Sequence, residues 1–280
     1  MAKNKSKGGE MSFLDHLEEL RWILVRVTVA IIIGGCIAFS FSDFIFDDVI
    51  FAPQQSDFVT YRFFCDMANK YDLDKSFCVT EIPFKIQSRT MDGQFNTDIW
   101  ISIMAGFIIA FPYILYQIWK FISPALYQKE RKMAVWFIMG TSLLFFLGIL
   151  FGYFLIMPLS INFLANYKIS EVVENNIDLD SYLSLVKTTV LSCGLVFELP
   201  IVIYFLAKVG LVTAEFLRKY RRYSYVIILI VAAIVTPPDV LSQTIVTIPL
   251  IILYEASIFI AARMNRITLA KEKSEALSNE

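Results

Sequence analysis

The sequence predicts an all-α polytopic membrane protein with six transmembrane helices and both termini on the cytoplasmic side. Three observations carry that expectation. Hydrophobic residues make up 57% of the 280 positions and charged ones 18%, with a mean hydropathy of +0.60. A soluble domain carries about 45–50% apolar and about 25% charged residues. Several stretches reach the roughly 20 apolar residues that a helix needs to cross a hydrocarbon core about 30 Å thick. Between them the basic residues fall unequally on alternate sides, as the positive-inside rule requires of a multi-pass chain.

Along the chain, residues 1–21 form a cytoplasmic tail ending in SFLDHLEELR, 12–21. Phe13, Leu14, Leu17 and Leu20 recur there at helical spacing, which predicts an amphipathic helix on or just entering the membrane. The six-helix membrane domain, 22–262, follows. Its first span is 22–41, with Arg26 one turn in, where it can snorkel to the surface. Loop 42–98 is long for a hairpin connection, so structure of its own is expected. The next spans are 99–119 and 133–157, joined by FISPALYQKERK, where Ser123-Pro124 breaks the helix. The fourth, 184–207, holds Lys187 and Glu198.

The stretch from 223 to 262 is split by Pro237-Pro238-Asp239, which cannot continue a helix. Its first part, 223–236, rises only about 21 Å and is short for an ordinary bilayer. Its second part, 241–262, contains Pro249. The pair is expected to be a short hairpin that thins the membrane locally. Residues 263–280 form a second polar tail.

Eighteen of the 25 basic residues fall on the side of the termini, which makes that side cytoplasmic. Trp22, Trp100, Trp119 and Trp136 lie at expected helix ends, where amphipathic rings favour the interface. The net charge of −1 gives no basis for nucleic-acid binding through bulk positive charge. One histidine, His16, and four cysteines offer little for a metal site, so neither metal nor cofactor is expected. LDHLEELR lacks the second histidine of H-E-x-x-H, and there is no G-x-S-x-G, Walker-type loop or C-x-x-C. The chain is not expected to be an enzyme.

Candidate residues are the carboxylates that break the charge pattern. Glu198 lies within the fourth span, where a charge costs at least ~2.5–3.5 kcal/mol, and Pro200 two residues on frees a backbone carbonyl. Either a polar cavity or a carboxyl hydrogen-bonded to a neighbouring helix satisfies that arrangement. Glu255, nearer the cytoplasmic end, poses the same alternative, and Lys187 is too far from Glu198 to pair with it. On the inner face, Glu19 and Glu130 are two carboxylates suited to bidentate pairing with guanidinium groups. Local charge balance is the other reading of Glu130, which sits among Lys129, Arg131 and Lys132. Cys65 and Cys78 lie in the outer loop and are either bonded, in an oxidising compartment, or two free thiols.

Five ordered motifs carry a resemblance: HLEELR at 16–21, FPYILYQIWKFISPALYQKER at 111–131, FGYFLIMPLSINFLANY at 151–167, SYLSLV with FELP between 181 and 200, and TPPDVLSQTIVTIPLIILYE at 236–255. Together they resemble the TatC family, the multi-spanning core subunits of the twin-arginine protein translocase of the bacterial inner membrane. The resemblance implies binding of twin-arginine signal peptides of folded cargo at the cytoplasmic face. It also implies assembly with single-span TatA-type and TatB-type subunits and with further copies of the chain, and export driven by the proton-motive force. It places signal recognition at Glu19, Arg21, Phe121 and Glu130, an intramembrane polar position at Glu198, a polar position beside the hairpin at Gln243, and a functional extracytoplasmic proline at Pro53. Loop 42–98 is longer than the family pattern, and Lys187 in the fourth span puts a charge where that pattern leads one to expect an apolar residue. Two alternatives from other classes remain: a proton-coupled secondary transporter using Glu198, and a membrane scaffold without cargo.

Overall fold

A computed structural model of the chain describes residues 13–72, 78, 84–122, 134–170, 172, 175–208, 210–236 and 240–278. Among the described residues, the α-helices longer than one turn are, in chain order, α1 (Phe13–Phe39), α2 (Val59–Lys70), α3 (Gly93–Ile122), α4 (Ala134–Phe151), α5 (Met157–Asn166), α6 (Leu179–Phe197), α7 (Leu199–Lys208), α8 (Ala214–Lys219), α9 (Arg221–Val235) and α10 (Val240–Ser278). Two three-residue strands, β1 (Lys85–Gln87) and β2 (Asn176–Asp178), pair in parallel with Ile86 opposite Ile177. This ladder is the departure from an all-α fold. It is too short to leave a period-two signal in the sequence.

Among the described residues, five helical stretches are long and apolar enough to span a membrane: Leu17–Phe39, Gly93–Phe121, Phe137–Asn166, Leu179–Lys208 and Ser242–Asn265. The expected amphipathic segment and first span form one continuous helix, α1, because Leu, Glu and Arg at the junction are all strong helix formers. Helix α9 has 15 residues, about 22 Å at the helical rise, so it falls short of a full crossing. Pro237, Pro238 and Asp239, which are expected to end it, lie outside the described residues.

The chain divides into two compact units, Met1–Phe41 with Ile99–Ser142 and Ser42–Asp98 with Leu143–Glu280. In the first, α1 and α3 meet backbone to backbone. A methyl group added at Gly106 would stand 2.4 Å from the Gly35 nitrogen and 2.5 Å from the Ile31 carbonyl. Only glycine permits that approach, and small residues at helix contacts are the usual way membrane helices gain packing without a hydrophobic driving force.

In the second unit, α7 and α9 pack along α10 around a core that includes Ile156, Phe197, Ala232, Val246, Leu250 and Tyr254. A similar glycine contact joins α4 to α6, where a methyl group on Gly148 would reach 2.6 Å from the Cys193 carbonyl. Between α4 and α5 the helix widens into a π-turn, Gly152–Ile156. Pro158 has no N–H to give the Phe154 carbonyl one turn back, and the Thr60 hydroxyl donates to that carbonyl instead. The described part of loop 42–98 has structure of its own, as its length suggests: α2, a π-turn at Ile45–Ile50 and a 3-10 turn at Ala52–Gln54.

Candidate functional site

Of the signal-recognition candidates, Glu19, Arg21 and Phe121 fall in the first unit. Glu19 and Arg21 occupy the opening turns of α1, Glu19 half-buried and Arg21 exposed with its guanidinium 5.7 Å from the Trp22 ring centroid. Phe121 is half-buried at the far end of α3. The contacts of Ile31 with Gly106 and of Gly35 with Ser102 set an antiparallel register. Carried about 18 Å further at equal rise, that register brings Glu19 level with Ile118, in the last turns of α3. Trp119 in turn stacks on Phe137 of α4, centroids 4.7 Å apart. Glu130 lies outside the described residues.

Glu198 lies in the second unit, where the long fourth apolar helix breaks. Its backbone N–H reaches back only three residues, to Leu195. Its carbonyl then accepts from Ile201 and Val202, both at 3.0 Å, which restarts the helix as α7. Pro200, buried in the first turn of α7, is tolerated there because an N–H at that position has no helical acceptor. Glu198 is only 9% exposed, yet Oε1 of its carboxyl has no hydrogen-bond partner among the described residues. Buried polar atoms are nearly always satisfied, which makes this oxygen a candidate contact for a further group.

The other candidates are placed plainly. Pro53 is buried in the 3-10 turn, and the Tyr61 hydroxyl lies 3.0 Å from its carbonyl oxygen and 2.9 Å from that of Pro158. Gln243 ties the hairpin, its amide donating to the Leu229 carbonyl at 3.4 Å. Cys65 and Cys78 are joined in a disulfide with Cα atoms 4.5 Å apart. Lys187 is half-buried on α6. A cavity of about 910 Å³ in the second unit is lined in part by Asp43, Asp47 and Asp98 with Phe46 and Phe51, and none of the candidate residues lines it.

Sequence reasoning weighed Glu255 without finding its partners. Glu255 receives Arg221 through two contacts, Nε to Oε1 at 2.6 Å and Nη2 to Oε2, and Tyr225 donates to Oε1 at 2.6 Å. The carboxylate therefore closes the α9–α10 hairpin. The signal was available in principle, as a lone acid at one end of a hairpin whose other end begins Arg-Arg-Tyr-Ser-Tyr. The hydroxyl contacts of Tyr61, Tyr153 and Tyr182 with carbonyls of residues 49–53 were also missed.

Residues 15–249 match the family described as Sec-independent protein translocase protein (TatC). The chain belongs to the TatC family. It is 43% identical over 258 residues to the TatC protein of Blattabacterium, covering 92% of this chain and 97% of that one. The TatC protein of Aquifex aeolicus is 37% identical, covering 91% and 97%. A crystal structure of a twin-arginine translocase receptor, TatC, superposes with a TM-score of 0.66 at 36% identity, over 88% of this chain and 97% of that one. The chain is thus a multi-pass membrane protein of a protein-translocase family rather than of a catalytic one.

Proposed function

We propose that the chain is the receptor subunit of a twin-arginine translocase in a bacterial inner membrane, binding twin-arginine signal peptides of folded cargo at its cytoplasmic face. The observation that carries the reading is the likeness, across 88% of the chain, to a solved twin-arginine translocase receptor. Glu19 and Glu130 hold the two signal arginines through charge-assisted, bidentate hydrogen bonds, about twice as strong as neutral ones. Arg21 orients the first turns of α1, and Phe121 supplies an aromatic surface beside them. The signal's apolar segment lies along the membrane-facing helices. The unpartnered carboxyl oxygen of Glu198 takes a polar group from a TatA-type or TatB-type single-span partner, with Gln243 and Pro200 shaping that wall and Pro53 the extracytoplasmic side.

The membrane domain, 22–262, crosses six times, with α9 and the start of α10 as a short hairpin that thins the bilayer. The tails 1–21 and 263–280 are cytoplasmic, the chain works as several copies within the complex, and the proton-motive force drives export. A photo-crosslinker placed beside Glu130 tests the reading, using Arg-Arg and Lys-Lys versions of one signal. Arg-Arg precursors are expected to crosslink strongly and Lys-Lys weakly, since an ammonium cannot make the planar two-point contact. Glu19→Gln and Glu130→Gln are each expected to lower capture at least tenfold. Equal capture of both signals sinks the receptor reading. Solute flux by the purified chain alone in vesicles replaces it with the proton-coupled carrier.

A further inference from the structure

The junction between α8 and α9 reads Arg218-Lys219-Tyr220-Arg221-Arg222-Tyr223, with Tyr220 ending one helix and preceding the other. Arg221 is committed to Glu255. Arg218, Lys219 and Arg222 are exposed and form no ion pair with another described residue. Glu215, in the first turn of α8, is the acid nearest to them in the chain. Three positive charges are therefore concentrated at one bend of the second unit.

Aromatic rings run through the same bend. Phe216, Tyr220 and Tyr223 are 52%, 40% and 68% exposed. Their rings follow one another, with centroids 4.6 Å apart for Phe216 and Tyr220 and 6.0 Å for Tyr220 and Tyr223. The Lys219 ammonium lies 5.9 Å from the Tyr220 centroid. One turn further along α9, Val226 and Ile227 are also exposed. Cations, then rings, then aliphatic side chains succeed one another within three helical turns. A phospholipid presents matching chemistry in that order: phosphate, glycerol and ester region, acyl chain. Tyrosines favour this interfacial depth, and basic residues next to a spanning helix attract anionic lipid.

We propose that this collar binds the headgroup of an anionic phospholipid, with Arg218, Lys219 and Arg222 around the phosphate and the acyl chains along Tyr223, Val226 and Ile227. A free phosphate would use the cations and leave the rings without a role. The pairing of Arg221 with Glu255 ties the start of α9 to α10, so Arg221 is not among the cations left for the headgroup. The proposal requires a chain that spans a membrane and does not depend on the receptor reading.

The test is native mass spectrometry of the full chain in detergent, with phosphatidylglycerol and phosphatidylcholine of identical acyl chains in competition. The chain is expected to retain phosphatidylglycerol preferentially. Arg218→Gln, Lys219→Gln and Arg222→Gln are each expected to weaken it about fivefold, and the triple variant to retain the two lipids equally. Arg218→Lys with Arg222→Lys keeps the charge and is expected to keep the preference, which separates lost binding from lost folding. Equal retention of both lipids by the unmodified chain, or full preference in the triple variant, overturns the proposal. A photoreactive group at Tyr223 in native membranes gives a second readout. Capture of photoreactive phosphatidylglycerol supports the site, whereas capture of a protein partner in its place overturns it. Failure of the receptor reading would appear separately, as lost discrimination between Arg-Arg and Lys-Lys signals with lipid retention unchanged.

Discussion

The Tyr61 hydroxyl lies 3.0 Å from the carbonyl oxygen of Pro53 and 2.9 Å from that of Pro158, so one proton serves two carbonyls 105 residues apart in the chain. Tyr153 and Tyr182 donate at 2.7 Å to the neighbouring carbonyls of Val49 and Ile50. The segment that carries Pro53 is thus held by its backbone oxygens, and the contribution of the proline includes the carbonyl it presents.

Tyr61→Phe removes the shared donor and leaves a buried carbonyl without a partner, a loss of about 1–3 kcal/mol. Thermal unfolding in detergent is expected to show it as a lower midpoint with the helical content unchanged. Burial raises the Tyr61 phenol above its ordinary value. A group whose folded value is raised contributes stability that is complete below the unfolded value, about pH 10, and lost as the pH rises beyond it. The gap between the unmodified chain and Tyr61→Phe should therefore be flat from pH 6 to 9 and narrow above 10. A gap that widens there contradicts the donor role.

Gly106→Ala tests the contact between α1 and α3. The added methyl would meet backbone atoms at 2.4 and 2.5 Å, and backbone cannot rotate away as a side chain can, so the helices must separate. Overpacking of this kind costs about 1–3 kcal/mol. Gly140, with nothing within 4 Å of an added methyl, is the control, and its alanine variant is expected to be neutral or up to about 1 kcal/mol more stable. Because the same contact sets the register of Glu19 against the end of α3, Gly106→Ala should also weaken signal-peptide capture, while Gly140→Ala should not. Equal melting midpoints for the two variants would remove the argument.

The extent to which the sequence revealed the fold follows from the range of each interaction. Apolar runs and their lengths are local, so five expected spans coincide with long apolar helices and the short α9 was legible from the prolines after it. The helix break at Glu198 was half legible. Pro200 signalled a weakened ladder, but the placement of the break two residues earlier depends on which carbonyl the restarted helix uses. The union of the amphipathic segment with the first span was obscured because polarity changes at Arg21 while helix propensity does not. The three-residue strands and the tyrosine contacts join segments about 90 to 130 residues apart, and no local pattern encodes them. Of the site, Glu19, Arg21 and Phe121 could be named from motifs, whereas their alignment rests on glycines that read as ordinary small residues.

The Cys65–Cys78 disulfide closes a short loop at the end of α2, with a sequence separation of 13. Loops near 15 residues gain about 3 kcal/mol from closure in the chain-entropy account. Reductant is therefore expected to lower the melting midpoint of the unmodified chain and to leave a Cys65→Ser, Cys78→Ser double variant unaffected. Limited proteolysis should then begin in loop 42–98 before any site in the spans. A midpoint indifferent to reductant would mean that the bridge does not constrain the unfolded chain.

Glu198 separates stability from function. Its carboxyl oxygen is buried and has no partner among the described residues, and an unsatisfied buried polar group costs about 1–3 kcal/mol. Glu198→Met keeps most of the volume, removes that group and is expected to raise the melting midpoint of the isolated chain. On the proposed role of Glu198 as a contact for a partner helix, the same variant is expected to lower export in cells. Glu198→Gln keeps an acceptor and adds a donor without charge, and should retain most export with a smaller gain in stability. Paired readings of melting in detergent and export in cells decide the matter, since a purely structural Glu198 predicts that both fall together. The expected result is that they move in opposite directions, the usual cost of a site kept unsatisfied for a ligand.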